Sequence, residues 1–373
     1  MLKLLSNVLV YREGRWKSSE ILIADRRIAR IAEAIVCRYD AMERIDGCGC
    51  RAVPGYIDQH VHITGGGGEG GFSTQVPPLA AGALMQAGTT TVVGLLGTDG
   101  TTRSVESVVA KAKALKEEGL SAYCLTGAYQ YPSPTVTGSV RKDIMMIDEV
   151  IGVKIAIADH RSSGITKEEL VRLAADARQA GILSGKAGIV HLHTGKGADG
   201  LALLFRIIRE SNIPVGTFRP THLGNKLDEA LRFASLGGYI DFTTGEEHEG
   251  TARVVAEALH RAPKGLVTMS SDGNGSIPVW NDRHEMIGLG VGKVGNLHGV
   301  VEALVKKESI PLEEAVLPCT ENVAKALLLY PRKGCLQEGA DADILLLNEE
   351  MRQDSLIAGG KVVMRHGRLV CSI

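Results

Sequence analysis

Apolar and polar residues alternate in two regimes along this chain. Near the start, residues 2–10, 21–24 and 28–31 are short apolar-rich runs separated by charged turns. Near the other end, 342–347, 355–358 and 361–364 repeat the pattern. Runs of this length, bounded by turn residues, predict strands. The two sets together predict one small β-domain, a β-sandwich assembled from both termini. Two unrelated hairpins are the simpler alternative.

Between them, apolar runs alternate with segments of helical spacing. Residues 90–96, 121–127, 153–157, 188–193, 213–218, 239–243 and 266–270 read as strands. Residues 104–118, 167–180, 198–210, 227–236 and 251–261 read as helices. With a further strand ending at His60, this makes about eight strand–helix units, the number that closes a (β/α)8 barrel of the TIM type. An open doubly wound sheet would gather its polar residues at one switch point. Here they recur at strand C-termini all along the chain, which favours the barrel. The expected division is a (β/α)8 barrel over 53–333 and the small β-domain over 1–52 plus 334–373.

The stretch Val53-Pro54-Gly55-Tyr56-Ile57-Asp58-Gln59-His60-Val61-His62 reads as a buried strand ending in two histidines. Residues i and i+2 of a strand share a face, so His60 and His62 project together. Two solvated loop histidines would explain an isolated His-x-His. Here further candidates stand at later strand ends: Tyr129, Lys154, His193, His222 and Asp272. Several imidazoles with one carboxylate suit zinc or a similar ion. Asp272 precedes glycines and could also be an ordinary turn aspartate. In Val190-His191-Leu192-His193, both histidines share a strand face, and spacing leaves both open as ligands. Lys154 lies inside an apolar strand, where an unpaired ammonium is costly. It either snorkels or pairs with an acid such as Asp159, or it is carboxylated by CO₂ and bridges two metal ions.

Composition narrows the function. Hydrophobic residues make up 44% of 373, enough for a large core, and the formal net charge is -1 with Lys and Arg dispersed. No basic stripe points to nucleic acid, and no charged tail to a membrane surface. No apolar run approaches the ~20 residues of a bilayer span. The opening Met1-Leu2-Lys3-Leu4-Leu5-Ser6-Asn7 breaks too soon for a signal peptide. Seven dispersed cysteines, an odd number without a secretion signal, point to free thiols in a reducing cytoplasm. Cys48 and Cys50 flank one glycine, and a structural zinc there would need two ligands from elsewhere.

Longer motifs then become specific. Gly55-Tyr56-Ile57-Asp58-Gln59-His60-Val61-His62 and the strand-end lysine resemble the amidohydrolase superfamily. The runs His60-Val61-His62-Ile63-Thr64-Gly65-Gly66-Gly67-Gly68-Glu69, Val93-Gly94-Leu95-Leu96-Gly97-Thr98-Asp99, Leu125-Thr126-Gly127-Ala128-Tyr129, Ile151-Gly152-Val153-Lys154 and Ser270-Ser271-Asp272-Gly273-Asn274-Gly275-Ser276 resemble its isoaspartyl dipeptidase family. The resemblance implies two divalent ions, zinc first among them. His60, His62 and Asp272 would hold one, and His193 and His222 the other. A CO₂-derived carbamate on Lys154 and a hydroxide would bridge them. His193 matches the family's ligand position, immediately before the loop.

The resemblance also implies roles around the metals. Glu69 would bind the substrate's α-amino group, Tyr129 the carbonyl oxygen, and Arg161 a carboxylate. Thr98, Ser276 and Asn225 would complete the substrate pocket, and Asp272 would also shuttle the proton. The family carries an arginine where this chain has Asn225, and Lys226 or Arg219 are the nearby cations that could replace it. The implied activity is hydrolysis of the isopeptide bond of small β-aspartyl dipeptides by a cytoplasmic homo-oligomer, an octamer. Two other classes share these features: a cyclic amidase of the dihydroorotase or hydantoinase type, and a catalytically silent barrel serving as an assembly subunit.

Overall fold

The structure is a computed structural model describing residues 1–37, 41–280 and 286–370. Five strands come first: β1 (Leu2–Arg12), β2 (Arg15–Ala24), β3 (Arg27–Ala32), β4 (Glu43–Asp46) and β5 (Arg51–Pro54). Eight follow in the middle: β6 (Tyr56–Val61), β7 (Thr89–Gly94), β8 (Ser121–Gly127), β9 (Val150–Ile157), β10 (Ile189–Thr194), β11 (Phe218–Thr221), β12 (Ile240–Thr243) and β13 (Val267–Ser270). A hairpin, β14 (Ser276–Trp280) and β15 (Met286–Val291), precedes the last set. That set is β16 (Ile344–Leu347), β17 (Gln353–Ala358), β18 (Lys361–Arg365) and β19 (Arg368–Leu369).

Both ends of the chain enter one hydrogen-bonded sheet of nine strands, in the order β19-β18-β17-β16-β5-β1-β2-β3 with β4 on β1. The join is the antiparallel pairing of β5 with β16, Ile344 opposite Pro54. So the two terminal sets are not unrelated hairpins. Their alternating apolar residues build a core separate from that of the middle strands, among them Leu5, Val10, Ile21, Ile23, Ile344 and Leu346. Lys333, fully buried, bonds Asp341 at 2.9 Å and Asp343 at 2.6 Å where the chain returns to this sheet. Breaking such a buried pair would strand a charge in the interior.

The middle strands β6 to β11 form a six-stranded parallel sheet in sequence order, and β12 pairs with β13, also in parallel. A parallel bridge between Val61 and Gly273 brings the end of β13 against β6. Strands such as β7 and β9 are buried at every position, as parallel strands covered on both faces are. Helices fill the connections, including α1 (Ala81–Gln86), α2 (Val105–Glu117), α3 (Val140–Met146) and α4 (Lys167–Ser184). The start of α4 is fixed locally. Thr166 accepts from the Glu169 amide while the Glu169 carboxylate returns to Thr166, and Gly185 ends the helix at φ 68°.

The helix expected over 198–210 begins only at Ala202 and the strand expected over 153–157 already at Val150, and two further differences have a clear cause. The stretch through His62 is not one strand: Arg51–Pro54 belongs to the terminal sheet and Tyr56–Val61 to the parallel one. The break falls at Gly55, where an added Cβ would come within 2.3 Å of the Thr90 side chain. The run 213–218 is not a strand either. Pro214 opens a 3-10 turn over Val215–Thr217, and the strand is Phe218–Thr221. Arg219 and Pro220 hide it from any hydrophobic pattern. Proline also lacks the N–H of a ladder, and β11 is the last strand of its sheet. The helix α8 (Asn296–Lys306) in the numbering α5 (Ala202–Glu210), α6 (Leu227–Ser235), α7 (His248–Arg261), α8 lies beyond the expected set, as do α1, α3 and the β14–β15 hairpin. The six cysteines among the described residues are free, and Cys371 lies outside them. Among the described residues no helix is long and apolar enough to cross a membrane.

Candidate metal centre and substrate pocket

The candidate residues gather at the C-terminal ends of the parallel strands. His60 is the last but one residue of β6, with His62 just past the strand. Lys154 lies within β9, His191 and His193 within β10, His222 directly follows β11, and Asp272 is the second residue past β13. His222 and Asp272 both take left-handed backbone, φ 64° and 52°. Such conformations are uncommon outside glycine and collect where a site over-determines them.

The Asp272 Oδ1 atom is 3.2 Å from His60 Nε2 and 3.1 Å from His62 Nε2. Ligand atoms of His60, His222 and Asp272 all lie within 4.8 Å of one another. His222 Nδ1 shares a hydrogen bond with Thr243 Oγ1 at 2.6 Å, and its buried Nε2 has no partner, nor has His62 Nδ1. Burial pushes the His60 imidazole down to about 3 and that of His193 to about 4, and holds His222 well below the usual range. These rings are therefore neutral near pH 7 and offer lone pairs. Burial opposes ionisation of Asp272, but the surrounding imidazoles outweigh it and hold that carboxyl well below its ordinary value. Neutral imidazoles, a carboxylate and an orphaned ring nitrogen fit a divalent ion of the zinc type.

His193 stands beside this group, with its ring 4.5 Å from that of His222. Its Nδ1 meets the Tyr129 hydroxyl at 2.6 Å, and its Nε2 donates to Asp159 Oδ2 at 2.9 Å. Lys154 is fully buried, with Nζ 3.3 Å from His60 Nε2. Burial pushes its ammonium down to about 7. It does not snorkel, and Asp159, considered from sequence as its partner, is taken by His193 and Arg161. Asp159 accepts from Arg161 Nε at 2.9 Å, NH2 at 3.0 Å and the Arg161 amide at 2.8 Å.

On the other side of the mouth, Glu69 Oε1 accepts from Ser276 Oγ at 2.8 Å, Thr98 Oγ1 at 3.1 Å and Arg161 NH1 at 3.4 Å. Its second oxygen, Oε2, is buried and unpartnered. Glu69 is among the residues that line a cavity of about 250 Å³, with Gly67, Gly68, Phe72, Gln75 and Thr98. The glycine loop carrying Glu69 is tightly packed: a Cβ on Gly65, at φ 89°, would meet the Val76 carbonyl at 1.9 Å. Arg103 clamps this loop by donating to the carbonyls of Thr64, of Val76 at 2.8 Å and of Gly66 at 3.3 Å. Arg161 has given its Nε edge to Asp159, its NH2 also lies 3.4 Å from His193 Nε2, and NH1 gives one hydrogen to Glu69, which leaves the second NH1 hydrogen for a ligand.

Asn225 is exposed on the short turn Leu223–Asn225. Neither neighbouring cation is free to act for it. Lys226 donates to Gly195 O at 2.8 Å and Gly197 O at 3.2 Å. Arg219 is buried, bonded to the carbonyls of Gly216, Phe218 and Ala326, and lies over the Tyr239 ring at 4.5 Å.

Several participants were not assigned from sequence. His191 Nε2 is 2.9 Å from His60 Nδ1. Asp58 accepts from the amides of His60 and Ser271 and from the Ser271 hydroxyl, tying β6 to the segment that presents Asp272. Alternation puts Asp58 on the same strand face as His60, and an acid on a buried strand was the available signal.

The amidohydrolase family model matches residues 51–363, so the chain belongs to the amidohydrolase family. Within that breadth, it is similar along its whole length to the β-aspartyl dipeptidase of Fervidobacterium islandicum AW-1, whose crystal structure holds the β-Asp-Leu dipeptide. The identity is 39%, each chain is covered to 100%, and the TM-score is 0.93. The adenine deaminase of Clostridium botulinum (strain 657 / Type Ba4) is 22% identical over 370 residues, 96% of this chain but 56% of that protein. The chain thus spans about half the length of the adenine deaminases it matches. A D-hydantoinase structure, 20% identical over 99% of this chain and 96% of its own with a TM-score of 0.67, shares the fold.

Proposed function

We propose that this chain is a metal-dependent hydrolase of the isopeptide bond in β-aspartyl dipeptides. The observation that carries the reading is the buried, unpartnered Oε2 of Glu69. A carboxylate held by three donors through one oxygen, with the other left unpartnered, suits a substrate ammonium, and one of those donors, Arg161, also holds the Asp159 that meets His193. The likeness to a dipeptidase crystallised with β-Asp-Leu supports the same substrate class.

His60, His62, Asp272, His193, His222 and Lys154 would hold two divalent ions, zinc by donor type, with Lys154 as its carbamate. Bound there, the ions would supply a water deprotonated near neutral pH and an electrophile for the carbonyl. Lys154 suits carbamate formation because burial leaves much of its amine unprotonated. The amine lone pair adds to CO₂ and one proton is released. His193 Nδ1 can accept from Tyr129 or face a cation, but not both. In the loaded protein the Tyr129 hydroxyl is therefore free to donate to the substrate carbonyl oxygen as negative charge gathers on it. Asp272 takes the proton of the attacking water and passes it to the departing amine. Glu69 receives the α-ammonium, Thr98 and Ser276 hold Glu69, and the remaining NH1 hydrogen of Arg161 receives the α-carboxylate. The second carboxylate meets the neutral amide of Asn225.

In this reading the two parallel sheets are one closed (β/α)8 barrel over 53–333, and 1–52 plus 334–373 form a sandwich-like domain. The protein works in the cytoplasm as a homo-oligomer, an octamer.

The test separates head from tail of the substrate. Glu69→Gln should lower kcat/KM for β-Asp-Leu by about 10–100-fold, the worth of one charge-assisted hydrogen bond of ~1.5–3 kcal/mol. β-Asp-Leu amide should be cleaved by the unaltered protein within about tenfold of the acid, since a neutral donor discriminates weakly. An unchanged Glu69→Gln variant would remove the ammonium role. Strong rejection of the amide would move the tail contact from Asn225 to a cation.

A further inference from the structure

The first histidine of β10, His191, is left without a role by the chemistry above. Alternation puts His191 and His193 on one face, but they lie at different depths. His193 is opposite Ala156 and reaches the mouth, whereas His191 is opposite Lys154, one layer down. There its Nε2 sits 2.9 Å from His60 Nδ1, with the ring centroids 4.9 Å apart and the planes at 73°. Both rings are buried.

We infer that His191 is a positioning residue that fixes the proton of His60 on Nδ1 and so sets the affinity of the centre for its cation. The inference rests on the metal-site part of the proposed function. Two neutral imidazole nitrogens in contact share one proton, which leaves two arrangements. With the proton on His191 Nε2, His60 keeps its own hydrogen on its Nε2. That hydrogen faces Asp272 Oδ1 at 3.2 Å and Lys154 Nζ at 3.3 Å, and it blocks the ligand position. With the proton on His60 Nδ1, His191 accepts, and His60 Nε2 presents a bare lone pair. Only the second arrangement takes a cation.

The neighbouring rings have corresponding outer partners. His193 Nε2 donates to Asp159, and His222 Nδ1 is hydrogen-bonded to Thr243 Oγ1. Such partners fix the tautomer of a metal-bound imidazole. His191 completes the set for His60, and does so without adding a negative charge beside Asp272. Removing the acceptor would leave a buried N–H without a partner, which favours the hydrogen on Nε2 where Asp272 can accept it.

The experiment compares His191→Leu with His191→Gln, whose amide oxygen can still accept. Protein stripped by a chelator is titrated with zinc against a chromophoric competitor, and the melting temperature of each metal-free variant is recorded beside it. His191→Leu should bind zinc about 10–100-fold more weakly, the usual effect of losing an outer partner. His191→Gln should stay within about threefold of the parent protein, by the same measure, at a similar metal-free melting temperature. If the leucine variant does not fold, His191→Met takes its place, a flexible side chain that also lacks a strong acceptor. Zinc affinity of the apolar variant within about threefold of the parent would overturn the inference. So would equal losses in both variants that track equal falls in melting temperature, since that is a packing role. A parent protein that binds no zinc at all would instead overturn the metal reading on which the inference rests.

Discussion

Asp272→Asn is expected to lower kcat on β-Asp-Leu by ~10²–10⁴-fold, the span of general acid–base catalysis, while KM stays within about threefold. Asparagine keeps the shape of the side chain and one carbonyl oxygen. It cannot take a proton from water and return it to an amine. The proton is needed only along the reaction path, so the loss belongs in kcat rather than in ground-state binding. Asp272 Oδ1 lies against both His60 and His62, so metal content must be measured on the same preparation. A variant that holds its metal but loses turnover places the shuttle on Asp272. Near-normal kcat would place it on another residue.

Lys154→Ala is expected to lose bound metal and at least about 10²-fold in turnover, on the scale of a lost catalytic contribution. A short carboxylic acid such as propionate should partly restore both. The physical case starts from burial. Lys154 is fully enclosed, and its ammonium is pushed down to about 7 by that burial. Among the described residues no carboxylate forms an ion pair with it; its Nζ lies 3.3 Å from His60 Nε2 and 5.8 Å from the centre of the Tyr129 ring. A plain buried amine in such a place is a cost to the fold, and deleting it would leave metal binding intact or improve stability. A carbamate has the opposite sign: it adds two anionic oxygens that a cation needs, and an added carboxylate in the vacated space can stand in for them. Normal metal content and turnover in Lys154→Ala would show that the lysine bridges nothing.

Much of this site could be read from the chain because its chemistry sits at strand ends, where period-two alternation fixes the face. His60 and His62 are legible together for that reason, and Lys154 stands out because a cation interrupts an apolar run. Alternation says nothing of depth. His191 and His193 share a face and differ only in layer, which depends on the stagger between β9 and β10. The same limit hid the outer partners. Asp159 follows Lys154 closely in sequence, yet the turn after β9 sends it to His193 and Arg161 instead. Arg219, open from sequence as a substrate cation, is spent on backbone carbonyls, and Lys226 likewise.

The fold shows a related division. Most of the middle strands lie close to where the apolar runs put them, but β11 was displaced because Pro214 turns the chain and Arg219 and Pro220 carry the strand. The break at Gly55 was invisible because a Pro-Gly pair can sit inside a continuous apolar stretch. It takes the approach of Thr90, distant in sequence, to require the glycine.

The most direct measurement is the initial rate on equimolar β-Asp-Leu, α-Asp-Leu and a dihydropyrimidine, with zinc-loaded and chelator-stripped protein side by side. The account predicts rapid release of aspartate and leucine from the β-linked dipeptide alone, only in the loaded protein, and restored when zinc is returned to the stripped one. Equal cleavage of the α- and β-linked peptides, turnover of the cyclic amide alone, or full activity after stripping would contradict it.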